Sequence, residues 1–113
     1  MLNISYEFRK GILFIRLVGE LNKNTSLKLK EEITDMIEDN GITNVVFNVA
    51  NLISIDIFGI NNLLNNFQIC RKNKGNALLC GVNNKFKLVF QKYQEFKEYM
   101  IDDELNAFRI IEI

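Results

Sequence analysis

Histidine, tryptophan and proline are absent from this 113-residue chain, and cysteine occurs only twice. Without histidine the chain lacks the commonest general base and the commonest metal ligand, which removes most hydrolase and metalloenzyme readings. No Cys or His cluster has the spacing of a metal site, and neither a P-loop nor a paired-glycine dinucleotide fingerprint is present. The carboxylates are scattered, with no evident acid–base pair. No enzymatic activity, metal or cofactor is therefore expected. Charge of one sign is missing too: 14 basic and 14 acidic residues cancel, so there is no basic stripe of the kind that marks a nucleic-acid binder. No window approaches the roughly 20 apolar residues of a membrane span, and Met1 to Glu7 lacks the basic and apolar regions of a signal peptide. The expectation is a cytoplasmic protein that neither binds nucleic acid nor inserts directly into a membrane. Its two thiols, Cys70 and Cys80, are then reduced and serve as small buried hydrophobes.

What is present is an ordinary globular composition, 48% hydrophobic and 25% charged, in a length that suits one domain over residues 1–113. Asn3 to Phe8 and Ile12 to Val18 are apolar or alternating runs separated by Arg9-Lys10-Gly11, a hairpin signal. From Thr25 to Asp39, Leu29, Ile33, Met36 and Ile37 share one helical face; Asn24 or Thr25 is available to cap the start, and Asn40-Gly41 to stop it. Asn44 to Val49 reads as a central strand. Ile60, Leu63, Leu64, Phe67 and Cys70 recur at helical spacing, with Asn61, Asn62, Asn65 and Asn66 largely opposite. That asparagine face is either a neutral hydrogen-bonding surface for a partner or a reflection of abundant asparagine. Ala77 to Val82 reads as a buried strand, Phe86 to Tyr93 as an amphipathic helix, and Phe96 to Ile101 as a short edge strand. An acidic first turn at Asp102-Asp103-Glu104 opens a last helix through Leu105, Phe108 and Ile111. The order is β-β-α-β-α-β-α-β-α, an α/β domain with a mixed sheet of four to five strands covered by about four helices.

The most informative stretch is Leu52-Ile53-Ser54-Ile55-Asp56-Ile57-Phe58-Gly59-Ile60-Asn61-Asn62-Leu63-Leu64, a strand running through a tight turn into a helix. Taken with Ile15 to Leu21, the Asn24-Thr25 helix start, Val45 to Asn48, and Leu78 to Val82 followed by Val89-Phe90, it resembles a STAS domain of the anti-sigma factor antagonist type along nearly the whole chain. No single piece is specific, but the ordered set at these separations is. In that family the turn reads Asp-Ser-Ser-Gly-Leu-Gly, and a partner kinase phosphorylates its second serine. Here it reads Asp56-Ile57-Phe58-Gly59-Ile60-Asn61, so both hydroxyls are gone and Phe58 stands at the phosphorylated position.

The resemblance implies a regulatory protein that binds an anti-sigma factor of the serine kinase type. It implies a docking surface around the turn, made of Asn22, Lys23, Asn24, Asp56, Ile57, Phe58, Gly59, Asn61 and Asn62. It also implies alternatives, since STAS domains serve as accessory subunits of transport systems and as parts of stress-signalling assemblies. No phosphorylation is expected: Ser54 is the nearest hydroxyl, but it lies four residues earlier and is a poor surrogate. Asp56 reads as a helix cap through its carboxylate or as a direct partner contact. Phe58 either folds back onto the core or stands exposed as an aromatic anchor.

Overall fold

A computed structural model of the chain describes residues 1–111. Two strands open the fold, β1 (Leu2–Arg9) and β2 (Ile12–Leu21), paired antiparallel from Leu2 opposite Gly19 to Arg9 opposite Ile12. Lys10 and Gly11 make the whole loop, both at positive φ (51° and 81°). That is the handedness a two-residue hairpin needs to follow the strand twist. β3 (Asn44–Ile55), β4 (Asn76–Cys80) and β5 (Met100–Ile101) then add in parallel, giving the sheet order β1-β2-β3-β4-β5. The sheet is mixed and five-stranded, as the sequence indicates.

Helices cover one face. α1 (Ser26–Leu29) and α2 (Asp35–Asn40) are joined by a π-helical stretch, Lys30–Thr34, into one continuous rod that ends at Gly41 in a left-handed cap (φ 59°). α3 (Ile57–Lys72), α4 (Asn84–Gln91) and α5 (Gln94–Glu98) complete that layer. Between them and the sheet lie Leu13, Ile15 and Leu17 of β2, Val45, Phe47 and Val49 of β3, and Leu29, Ile33, Ile37, Leu63 and Phe67 of the helices. Among the described residues, the opposite sheet face carries a 3₁₀ turn (Glu104–Asn106) and the four-residue α6 (Ala107–Ile110), which cover Ile12, Phe14, Val46, Leu78 and Cys80. Cys70 and Cys80 are free and buried on opposite faces of the sheet. Burial pushes each thiol up to about 12, because an apolar surround disfavours the thiolate. No helix among the described residues is long and apolar enough to cross a membrane.

Three elements differ from the sequence expectation. β3 is one continuous strand from Asn44 to Ile55 rather than a central strand to Val49 and a separate run before the turn. The register with β2 shifts between Arg16 and Val18 and again between Gly19 and Glu20, and such bulges break the alternation by which a strand is recognised. Phe96 is not in an edge strand; it lies in α5 and is fully buried, meeting Phe67 and Phe90 edge-on with ring centroids 5.2 Å from each. Burying that ring outweighs its β-propensity, and only Met100–Ile101 is left to pair with β4. Leu64 is half-buried, whereas its neighbour Leu63 is fully enclosed.

Candidate functional site

The length of β3 decides where the turn stands. β4 ends at Cys80, opposite Asn48, while β2 and β3 continue together to Leu21 opposite Ile55. The strand-to-helix turn therefore sits at the tip of a β2–β3 ribbon that projects beyond the rest of the sheet.

At that tip Asp56 is the N-cap of α3. Its backbone is extended (φ −115°, ψ −176°), Oδ1 accepts the Gly59 N–H at 3.0 Å, and its main-chain carbonyl accepts the Ile60 N–H at 3.0 Å. The second carboxylate oxygen, Oδ2, accepts the Lys23 N–H at 3.0 Å, so one side chain fixes both the helix start and the loop after β2. The Gly59 N–H foremost, with that of Lys23 helping, holds the Asp56 carboxyl below its usual range. A carboxyl with a depressed folded-state pKa contributes stability above its ordinary pKa and loses it as pH falls through the folded value. Thermal unfolding followed across the acid range is therefore expected to show falling stability. Asp56→Asn, which keeps a capping oxygen but cannot ionise, should flatten that dependence; an unchanged slope would assign it to other carboxylates.

Gly59 is required by proximity. A Cβ there would lie 2.5 Å from the Leu21 carbonyl oxygen and 2.8 Å from Leu21 Cγ, so the first turn of α3 approaches the end of β2 as only glycine allows. Asn22 organises the loop from inside. Its Oδ1 accepts the Asn24 and Thr25 N–H groups at 2.9 and 3.2 Å, and its carbonyl accepts the Ser26 N–H at 2.8 Å. Asn22, rather than Asn24 or Thr25, is thus what closes the entry to α1; an asparagine side chain bonding two residues on is a stable turn by itself. Asn62 is also turned inward: its Nδ2 donates to the Ser26 carbonyl at 2.9 Å, and Asn66, fully buried, donates back to the Asn62 carbonyl and Oδ1 at 2.9 and 3.0 Å. Half of the presumed outward asparagine face is thus the seam between α3 and α1.

The outward set is Lys23, Asn24, Ile57, Phe58 and Asn61. Ile57 is 53% and Phe58 49% exposed, which decides the alternative for Phe58 in favour of the surface. The Lys23 ammonium lies 5.5 Å from the centroid of the Phe58 ring, a contact that steadies the ring without covering it. Leu27 on α1 and Ile53 on β3 are exposed near the same junction; the sequence reading did not include them. The signal for Leu27 was its place opposite the Leu29–Ile33 stripe. Ile53 stands in the run that the sequence reads as a strand before the turn, where nothing in the sequence says which side chains face out. Ser54 lies within β3 beside Glu20 of β2, so it is not at a helix start, and its strand neighbour is an acid.

An α/β sheet with one antiparallel edge hairpin, four parallel strands, and an acid-capped strand-to-helix junction held out on a projecting ribbon is a specific architecture. Residues 3–107 match the family model described as "STAS domain", and the chain belongs to that family. It is 27% identical over 113 residues, 99% of this chain and 97% of the other, to the anti-sigma F factor antagonist of Paenibacillus polymyxa. Its fold is that of the phosphorylated Bacillus cell fate determinant SpoIIAA, with a TM-score of 0.78 at 22% identity over 96% of this chain and 98% of that one. The same fold recurs as part of the murine anion transporter Slc26a9, where 92% of this chain matches 18% of the transporter with a TM-score of 0.75 at 12% identity.

Proposed function

We propose that this chain is an anti-sigma factor antagonist-type regulator. In this reading it docks on an anti-sigma factor of the serine kinase type through the β3–α3 junction and is not switched by phosphorylation there. The observation that carries the reading is the exposed Ile57-Phe58 pair at a turn whose framework residues, Asp56 and Gly59, are intact. A kinase-regulated turn presents hydroxyls at a helix start, where unpaired N–H groups favour a phosphate. This turn presents apolar side chains instead, of the kind that anchors a protein interface when covered. Lys23, Asn24 and Asn61 supply a polar rim. The relative matched over 99% of this chain and 97% of its own length is an anti-sigma F factor antagonist, which supports this reading over a domain carried within a transporter.

Affinity capture with the whole chain, followed by calorimetry with the identified partner, tests the proposal. An ATP-binding anti-sigma factor that binds the purified chain supports it. A permease or transport ATPase as the only binder assigns the chain to transport, and self-assembly into very large particles assigns it to a signalling scaffold. Incubation with the partner kinase and ATP should leave the intact mass unchanged. Stoichiometric phosphate mapped to Ser54 would overturn the absence of a switch.

A further inference from the structure

The two sheet faces are closed very differently. One lies under the rod of residues 26–40, the long α3, and α4 and α5. Among the described residues, the other is closed by the stretch of residues 103–111. Its helical part is one 3₁₀ turn and a four-residue helix, far too short to persist without what it packs on. Its apolar hold is modest: Ala107 and Ile111 are buried, and Phe108 is half-buried with its ring 5.4 Å from that of Phe14.

The segment is fastened by a polar clasp in the sheet itself. Glu104 accepts two hydrogen bonds from the Arg16 guanidinium, Nε to Oε2 at 2.9 Å and Nη2 to Oε1 at 2.8 Å, and a third from Asn48 Nδ2 at 2.9 Å. Arg16 also reaches Glu7 of β1 at 3.0 Å. Asn48 holds the clasp to the ribbon, since its Oδ1 accepts the N–H of Ala50 where β3 runs on past β4. The forked geometry is the strong form of this ion pair, and it stands at the base of the segment rather than along it. It thus holds the segment where it leaves the sheet, ahead of the apolar contacts of Ala107, Phe108 and Ile111.

We propose that residues 103–111 are a latch that opens as a unit while the rest of the domain stays folded, uncovering the apolar sheet face of Ile12, Phe14, Val46, Leu78 and Cys80, with Glu104 as its catch. Local opening of this kind draws on the less stable cooperative units of a fold. The latch gives the domain a second state that does not depend on a hydroxyl at the β3–α3 turn.

The two cysteines make the test internal. Cys80 lies beneath the latch and Cys70 beneath the main helical layer, so they report opening of the two faces separately. The full chain is labelled with iodoacetamide, an uncharged reagent, in native buffer, and each site is followed by peptide mass and normalised to its rate in the unfolded chain. Cys80 is expected to react about tenfold or more faster than Cys70. Glu104→Gln should raise the Cys80 rate by a further factor of about ten and leave Cys70 unchanged. Equal normalised rates at the two sites in the unaltered protein would overturn the latch, because both would then report global unfolding. So would a Glu104→Gln effect that accelerates both sites together. Hydrogen exchange on the unaltered protein is the second measurement: amides of residues 105–111 should exchange well before those of β4, and exchange in step with β4 would overturn the proposal.

Discussion

Phe67→Ala is expected to lower the unfolding free energy by about 3–5 kcal/mol, the cost of truncating a fully enclosed aromatic ring. Phe67 has no exposed surface. Its ring stacks on Phe47 of β3 at 6.2 Å and meets Phe96 edge-on at 5.2 Å, and Phe96 in turn meets Phe90 at 5.2 Å and Tyr93 at 5.9 Å. One side chain of α3 thus ties the central strand to both short helices that follow β4. Removing it leaves a cavity where those elements converge. Since a domain of this size is stable by only about 5–15 kcal/mol, the variant should unfold at a far lower urea concentration, with the slope of the transition unchanged. Leu64→Ala, one turn earlier and half-buried, should cost distinctly less. A loss below about 1 kcal/mol at Phe67 would show that the aromatic cluster is not what holds α5 in place.

Phe67 also marks how far the sequence could be read. Its spacing from Ile60 and Leu63 put it on a buried helix face, and that periodicity, with the β-branched strands and the Lys10-Gly11 and Asn40-Gly41 breaks, made the architecture legible. Tertiary geometry without a local signal was not. The bulges between β2 and β3 hid that the two strand runs are one β3, and with it the fact that the turn stands on a projecting ribbon. Phe96 looked like a strand residue because its contacts, Phe67 and Phe90, are distant in sequence or out of register. At the candidate site, residue types gather the set around one turn but do not say which side chains face out. Asn22 and Asn62 are polar and were taken for surface, yet both are occupied by backbone groups of the Asn22–Ser26 loop. Phe58 and Phe67 are the same residue on the same helix. Nine residues put them about half a turn out of phase, so once the Ile60–Leu63–Phe67 stripe faces the sheet, Phe58 faces out.

That outward turn makes Phe58→Ser a clean test of the interface. Asp56 already fills the N-cap of α3, so a serine two residues further on gains no capping role. Nor does the change open an enclosed cavity, since the ring is half exposed at the surface, with the Lys23 ammonium 5.5 Å from its centroid. Stability should therefore change by no more than about 0.5 kcal/mol, the usual range for an exposed position. Binding should respond differently. An exposed aromatic ring that becomes covered at the centre of an interface typically accounts for about 2 kcal/mol or more, which is a fall of about thirtyfold in affinity. Urea unfolding and calorimetry on the one variant separate the two effects. Near-native stability with a thirtyfold weaker partner complex would identify Phe58 as the anchor that replaced the hydroxyl of the family's turn. Unchanged affinity for a verified partner would move the interface off the β3–α3 junction. Ile57, equally exposed beside it, would then lose its claim to a binding role as well.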